Sequence, residues 1–238
     1  MIRSLIEAII RGQDFRMELL SLICALPAIL FSLSFHEYAH AWSAHKLGDD
    51  TAKMYGRLTL NPVSHIHPIG FLMLLTVGFG FAKPVPVNFM NFKNRRKGMA
   101  LVSLAGPLSN FILAFVFSFV LELYDKLVPV SVFVSDNAGG WIAYALYLVI
   151  LYFVIINVNL GIFNLFPVPP LDGSKILYSI LPWNLEMKLR PYEQYIQLAL
   201  FVMLFLGWLD VPLSFLTGAV INFFGFIAEK VLFFVPTL

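Results

Sequence analysis

An uncharged apolar stretch at residues 19–35 leads directly into the motif H-E-Y-A-H at residues 36–40. A stretch of this length and composition is typical of a helix that crosses a lipid bilayer. Backbone and side-chain polar groups inside a bilayer need partners within the protein, and ionisable side chains are costly at that depth. The motif is therefore a candidate functional site that faces the interior of a helical bundle or a wet cavity.

The composition of the whole chain indicates an integral membrane protein. Of its 238 residues, 59% are hydrophobic and only 13% are charged, and the mean hydropathy is +0.82. Soluble globular domains carry about 25% charged residues. The length allows five to six transmembrane helices with short connections and leaves no room for an appended soluble domain of ordinary size. We predict an all-α polytopic membrane protein that has no nucleic-acid partner.

Within a single domain covering residues 1–238, we predict an amphipathic N-terminal segment (1–16), a catalytic core (17–177) and C-terminal helices (195–236). The first segment contains Glu7 and Asp14 and lacks a small-residue cleavage signature, which favours a helix on the membrane surface over a removable signal peptide. The apolar segments in which we place the spans are residues 17–47, 99–121, 141–163, 195–209 and 212–235.

Two connections have a different character. Residues 49–69 are rich in turn residues such as Gly56, Asn61 and Pro62, and predict short strands and turns. Residues 71–81 are apolar but too short to cross a bilayer, which favours a membrane-dipping hairpin or half-span. We therefore expect a small membrane-associated β-hairpin element between the first two spans.

The distribution of basic residues predicts the orientation of the bundle. Five of the sixteen Lys and Arg residues fall within residues 83–97, which is typical of a cytoplasmic loop. The opposite orientation, with a cytoplasmic N-terminus, is favoured by a smaller number of basic residues: Arg3, Arg11 and Arg16. Following the larger count, we predict a multi-pass protein of the cell membrane whose site faces the cytoplasmic side.

The two histidines of the motif have the spacing of zinc ligands. Residues four apart on a helix lie on one face, so His36 and His40 can bind the same Zn²⁺ ion. Glu37, beside the first histidine, is placed to take a proton from a water at the metal. The alternative is that a five-residue pattern has arisen by chance and that the histidines only pair with neighbours in the bundle.

A catalytic zinc site usually has three protein ligands, and Asp172 is our third candidate. The prolines at 167, 169 and 170 break the preceding helix into a re-entrant segment, and Gly173 permits a tight turn that points the carboxylate back into the bundle. The alternative for Asp172 is an N-cap on the next helix. His65 and His67 are rival ligands, although their loop setting favours lining the site. We predict one zinc ion per chain.

Two asparagines are further candidates. Asn110 lies in an otherwise apolar span, where it could donate to a developing oxyanion or pair with backbone freed by Pro107. Asn164 heads the proline-rich segment, where it could face the substrate or bond the local backbone. Asn157 and Asn159 in the same span have no role that the sequence assigns.

Five motifs, in this order, resemble the site-2 protease family of intramembrane zinc metallopeptidases, of the compact type without an inserted soluble domain. The motifs are H-E-Y-A-H (36–40), G-R-L-T-L-N-P (56–62), A-K-P-V-P-V-N (82–88), A-G-P-L-S-N (105–110) and N-L-F-P-V-P-P-L-D-G (164–173). The resemblance implies that His36, His40 and Asp172 bind zinc and that Glu37 is the base. It also implies that Asn164 and the region of Asn110 face the substrate. His67 is a departure, since Asp is expected before Pro-Ile-Gly.

The predicted function is the hydrolysis of peptide bonds in or near transmembrane segments of membrane-protein substrates. Catalysis would use Glu37 and Asn110, and substrate binding would use Asn164 and His65. The partners are a transmembrane protein or peptide and the lipid bilayer. Two alternatives stay open: a membrane transporter for metal or other ions, and a relative that binds transmembrane partners without cleaving them.

Overall fold

The structure is a computed structural model that describes residues 15–77, 80, 82–129, 131–132 and 137–237. The amphipathic helix predicted at residues 1–16 falls almost wholly outside this part of the chain. The helices are α1 (Arg16–Lys46), α2 (Thr51–Met54), α3 (Pro62–His65), α4 (Pro68–Val77), α5 (Arg95–Leu127), α6 (Ala138–Leu165), α7 (Asp172–Ile180), α8 (Trp183–Leu189), α9 (Glu193–Phe205) and α10 (Asp210–Val231), with short 3₁₀ helices at Phe89–Asn91 and Arg190–Tyr192.

Four of these helices are long and apolar enough to cross a membrane: α1, α5, α6 and α10. The prediction of five to six spans is not confirmed in the described residues. The segment expected at 195–209 forms α9, which has 13 residues. That length corresponds to about 20 Å, against a hydrocarbon thickness of about 30 Å. The chain turns after α9 at Gly207, whose φ is +72°.

The predicted β-hairpin element is not confirmed either, because no strand forms among the residues that the structure describes. Residues 49–69 contain the short helices α2 and α3 instead. Asn61 caps α3 by accepting a hydrogen bond from the Val63 N–H, and Pro62 occupies its first turn, so this turn-rich sequence starts a helix. The short apolar segment forms the ten-residue helix α4, which has the length of a half-span.

The bundle is built on α1, α5 and α6, which pack extensively against one another, while α7 packs on α5 and α10 covers α5 and α6. Small residues line the close approaches: Ala25, Ala28, Ala41 and Ala44 on α1 are fully buried. In lipid there is no hydrophobic driving force between helices, so their association depends on close packing. Small side chains allow the helix backbones to approach closely. This packing brings the C-terminal half of α1 against the N-terminal half of α5 and the start of α7.

A buried carboxylate fixes the corner that follows α1. Asp49 accepts hydrogen bonds from the Thr51 hydroxyl (2.5 Å), the Thr51 N–H (3.2 Å), the Asn88 N–H (2.8 Å) and the Asn91 amide (2.6 Å). Burial raises the pKa of the Asp49 carboxyl, but these hydrogen bonds outweigh burial and leave the pKa below its ordinary value. The contact ties the end of α1 to the segment that precedes α5.

We expect Asp49→Asn to lower the free energy of unfolding at neutral pH by about 1–3 kcal/mol, since an amide cannot accept all of these bonds. A carboxyl whose folded-state pKa is lowered stabilises the protein above its unfolded pKa of about 3.9 and loses this contribution as the pH falls through the folded pKa. The difference in melting temperature between wild type and variant in detergent should therefore narrow below about pH 4.

Asp50→Asn is the matched control, because Asp50 is exposed and hydrogen-bonds the His45 ring rather than the backbone of a distant segment. It should shift stability by no more than about 0.5 kcal/mol. An Asp49→Asn variant as stable as wild type at pH 7 would contradict the structural role of Asp49.

Candidate active site

Helix α1 carries three chemically active side chains on the part that packs inside the bundle. His36, Glu37 and His40 are buried, although the helix around them is apolar. One helical turn separates the two imidazoles, whose ring centroids lie 4.6 Å apart. Their Nε2 atoms face each other at 3.0 Å. The spacing read from the sequence therefore places both rings at one point in the bundle.

Asp172 reaches the same point from the first residue of α7. Its Oδ2 lies 3.1 Å from His36 Nε2 and 3.0 Å from His40 Nε2. Gly173 makes this approach possible, since a Cβ there would lie 2.3 Å from the Leu165 carbonyl oxygen at the end of α6. The N-cap residue of α7 is Leu171, and no side chain caps the helix. The Asp172 carboxylate is thus directed at the histidines.

The outer nitrogens of both histidines bond to acceptors. His40 Nδ1 lies 2.7 Å from the Val102 carbonyl oxygen, and His36 Nδ1 lies 2.6 Å from Asn110 Oδ1. A carbonyl oxygen cannot donate, so each Nδ1 carries a proton, and in the neutral imidazole each Nε2 presents a lone pair. Partners of this kind orient metal-binding imidazoles in proteins.

The donor set fits zinc. Two imidazole lone pairs and a carboxylate oxygen converge within 3.1 Å of one another in a buried site, an arrangement that is repulsive without a cation between them. Tetrahedral zinc with bonds of about 2.0–2.1 Å sets its ligand atoms roughly 3.3 Å apart. In the part of the chain that the structure describes, these residues are the one group of three or more that could hold a metal ion.

Gly106 on α5 forms the wall of this cluster. A Cβ at this position would lie 2.4 Å from His40 Nε2 and 2.6 Å from His36 Cε1. Atoms that are not bonded do not approach so closely, so only glycine leaves the ligand atoms their space. The sequence gives Gly106 as part of a motif, but its contact with the two rings follows from the packing of α5 on α1.

Glu37 is held by an irregular segment that we call the strap, residues 83–87. Its Oε2 accepts a hydrogen bond of 2.9 Å from the Val85 N–H. Because Pro84 and Pro86 have no N–H, Val85 carries the backbone N–H that can donate to Glu37 at this point of the strap. The strap is also anchored at Lys83, whose N–H donates to the His65 carbonyl oxygen (2.7 Å) and whose own carbonyl accepts from the Arg57 guanidinium (2.5 Å).

Lys175 holds the second oxygen of Asp172. Its Nζ lies 3.1 Å from Oδ1, one turn further along α7, and its side chain is partly exposed. Burial raises the pKa of the Asp172 carboxyl, but the positive charge of His40 and His36 in their protonated forms outweighs burial and holds this pKa well below the ordinary value. A cation bound between the three side chains would act in the same direction. The carboxylate is therefore ionised at neutral pH. Sequence reasoning missed Lys175, although a base three residues after a candidate ligand is a usable signal.

The other predicted site residues lie in different surroundings. Asn110 is fully buried against His36, as described above. Asn164 donates to the Leu160 carbonyl oxygen of its own helix at 3.0 Å. His65 is 1% exposed, its Nε2 bonds the Thr59 carbonyl oxygen at 2.7 Å, and its backbone carbonyl accepts the hydrogen bond from the Lys83 N–H of the strap. His67 Nδ1 accepts from the Gly70 N–H at 3.3 Å at the start of α4.

Comparison with known proteins agrees with this geometry. The profile of Peptidase family M50 matches residues 24–208. YwhC of Bacillus subtilis is 41% identical over 172 residues, which cover 70% of this chain and 73% of YwhC. Rip2 of Mycolicibacterium smegmatis is 28% identical over 182 residues, covering 73% of this chain and 63% of Rip2. MJ0611 of Methanocaldococcus jannaschii is 32% identical over 169 residues, covering 70% of this chain and 73% of MJ0611.

The names of all three relatives contain the words zinc metalloprotease. No solved structure matches the chain significantly. The family profile spans the motif on α1, the wall glycine on α5 and the carboxylate on α7. With its four apolar helices and its zinc-compatible cluster, the chain belongs to peptidase family M50, the site-2 protease family of zinc metalloproteases.

Proposed function

We propose that this zinc metalloprotease hydrolyses peptide bonds in or near the transmembrane segments of membrane-protein substrates. One observation supports the proposal above others: the cluster of His36, His40 and Asp172, with Glu37 beside it, is buried against a helix long enough to cross the bilayer. A site in that position meets a substrate within the membrane or at its edge. A soluble loop would have to enter the bundle to reach it.

The cluster of His36, His40 and Asp172 would hold the zinc ion. Bound zinc acts as a Lewis acid that polarises the scissile carbonyl and lowers the pKa of a coordinated water toward about 7. Lys175 holds Oδ1 of Asp172, which would leave Oδ2 as the oxygen directed at the metal. With three protein ligands, the zinc would remain open to the attacking water.

Glu37 is the general base in this proposal. The Val85 N–H holds Oε2, which fixes the carboxylate and leaves Oε1 to receive a proton. As the water oxygen attacks the carbonyl carbon, its O–H bond breaks and the proton passes to Glu37. When the C–N bond breaks, Glu37 returns this proton to the leaving amine, so the carboxylate is restored after each turnover.

The strap is our candidate for substrate binding. A transmembrane helix hides its amides in hydrogen bonds and must unwind locally before it is cut. Proline and the residue before it favour an extended backbone, so the strap would present the carbonyls of Pro84 and Pro86 along its length. They can accept hydrogen bonds from unwound substrate amides.

The remaining candidates have supporting roles in this proposal. Asn164 is the side chain that we assign to substrate contact, because it is partly buried at the head of the proline-rich segment. His65 acts on the substrate through the strap that it anchors. Asn110 orients His36, since its Oδ1 bonds that imidazole and its Nδ2 bonds Asn157.

The experiment that tests the function is identification of the cleaved bond. The purified full-length chain is reconstituted in liposomes with a panel of single-span substrates, and the product termini are determined by mass spectrometry. The proposal predicts new termini inside or next to the apolar span of the substrate. Products cut only in the soluble flanks would overturn the intramembrane assignment.

We also propose that the site faces the cytoplasm, as the basic residues at 83–97 favour. The chain has a single cysteine, Cys24, which is buried. In a Cys24→Ala background, two substitutions introduce an exposed thiol on opposite sides of the bundle. Lys93→Cys lies just before the start of α5, and Ala138→Cys lies at the start of α6, beyond the other end of α5. A membrane-impermeant thiol reagent added to intact cells should label Ala138→Cys and spare Lys93→Cys. The reverse pattern would place the site on the outer side.

A further inference from the structure

The interior of the bundle contains buried polar side chains besides the proposed zinc ligands and Glu37. Asn157 on α6 and Ser32 on α1 are fully buried, and so is Asn110 on α5. Polar groups at this depth destabilise a bundle unless each donor and acceptor is paired. Asn157 lies on a different helix from the proposed zinc ligands and its hydrogen bonds go to other residues, so the cost of burying its amide calls for partners that explain it.

The hydrogen bonds of Asn157 form a chain that ends on a zinc ligand. Its Nδ2 lies 2.8 Å from the Phe153 carbonyl oxygen and 2.7 Å from Ser32 Oγ. Its Oδ1 lies 2.8 Å from Asn110 Nδ2. Asn110 Oδ1 in turn lies 2.6 Å from His36 Nδ1. We call the sequence Asn157, Asn110, His36 the amide relay.

The relay has one direction. The Phe153 carbonyl oxygen only accepts, so the Asn157 group facing it is the NH₂ donor, and the Oδ1 of Asn157 is left as an acceptor. That acceptor takes a hydrogen from Asn110 Nδ2, whose second hydrogen is directed at the Ser32 carbonyl oxygen at 3.4 Å. Asn110 therefore presents Oδ1 to His36, which must donate from Nδ1.

We propose that Asn157 is a positioning residue for the zinc ligand His36. A backbone carbonyl of α6 sets the orientation of two amides and, through them, keeps the His36 proton on Nδ1 and the lone pair of Nε2 on the metal. This inference rests on the metal site of the proposed function. It adds a residue that reaches the site only through Asn110 and His36.

The two histidines differ in this respect. His40 bonds the Val102 carbonyl oxygen directly, so the tautomer of His40 depends on backbone alone. His36 depends on two side chains. Loss of Asn157 frees the Asn110 amide to rotate, and an Nδ2 group facing His36 would favour a proton on Nε2, which blocks the lone pair needed by zinc.

The test is the zinc affinity of the full-length protein in detergent, measured by competition with a chelator of known affinity. Asn157→Leu should weaken zinc binding by about 10–100-fold, the usual cost of removing an outer-shell partner. Asn157→Thr is the second variant, because its hydroxyl can bond the Phe153 carbonyl oxygen but is too short to reach Asn110. It keeps the bundle polar at this point and should weaken zinc binding similarly.

Asn159→Leu is the matched control. Asn159 lies on the same helix, donates to the Ile155 carbonyl oxygen at 2.9 Å and accepts from the Thr217 hydroxyl at 2.8 Å. Its bonds resemble those of Asn157 but do not lead to the metal. Zinc affinity should change by less than about threefold in this variant, as for a distant and independent site.

A double-mutant cycle with Asn110→Ala tests whether Asn157 acts through Asn110. In the Asn110→Ala background, Asn157→Leu should weaken zinc binding by no more than about threefold, because the relay is already broken. Zinc affinities of both Asn157 variants within threefold of wild type, or effects that simply multiply in the double variant, would overturn the relay. Wild type that binds no zinc would overturn the metal site and the relay with it.

Discussion

Glu37→Gln is expected to reduce the cleavage rate by about 10²–10⁴-fold, the usual contribution of a general base. The amide oxygen of glutamine can still accept the hydrogen bond from the Val85 N–H, so the strap keeps its place. The amide cannot take up a proton from water. The proposed zinc ligands are unchanged, and the variant should retain its zinc. Initial cleavage rates in liposomes and elemental analysis of the same samples provide the measurement.

Glu229→Gln serves as the control for this experiment. Glu229 is exposed near the end of α10, far along the chain from the cluster, and its loss should leave the rate at the wild-type level. If Glu37→Gln binds zinc and cleaves within about tenfold of wild type, Glu37 is not the base.

Gly106→Ala should abolish zinc binding. The added methyl group would lie 2.4 Å from His40 Nε2 and 2.6 Å from His36 Cε1, inside the space of two ligand rings. Either the rings turn away or α5 separates from α1, and both changes disperse the ligand atoms. We expect no zinc above background after dialysis, and therefore no cleavage.

The control for this substitution is Gly218→Ala on α10, where a Cβ would meet nothing within 4 Å. Alanine favours a helix interior over glycine by about 1 kcal/mol, so this variant should be as stable as wild type or more so. Retention of zinc at wild-type affinity by Gly106→Ala would show that the cluster is not the metal site.

The sequence carries most of what defines the cluster. The spacing of His36 and His40 is a property of the α-helix, which fixes their shared face wherever the helix packs. Asp172 is predictable because prolines before it end a helix. The glycine after it does not form the predicted turn, since Gly173 lies in the first turn of α7, where it allows a close approach to the Leu165 carbonyl. These signals are local, and the structure brings the three side chains within 3.1 Å of one another.

The partners of the cluster are not predictable in the same way. The bond from Val85 to Glu37 joins residues 48 positions apart, and the relay joins three different helices. Such contacts depend on how helices pack, which no local pattern encodes. For Asn110 the residue type pointed to a polar role in the site, but the direction of its amide became clear only with Asn157 in place.

The parts of the predicted fold that are not confirmed also have physical causes. The segment at 195–209 is apolar enough for a membrane span, yet its helix ends at Phe205. The turn at Gly207 stops the helix before it is long enough to cross the bilayer. In residues 49–69, Asn61 and Pro62 are typical turn residues, but the same pair starts a helix when the asparagine side chain caps it.

Whether cleavage depends on bound zinc is tested most directly by measuring zinc content and cleavage in the same reconstituted sample of wild type. Zinc content is measured, the metal is removed with a chelator, and zinc is then restored. We expect about one zinc per chain, as for a single site with three ligands, loss of cleavage when the zinc is removed and return of cleavage when the zinc is restored. Carefully prepared wild type without zinc, or cleavage that persists after the metal is removed, would contradict this expectation.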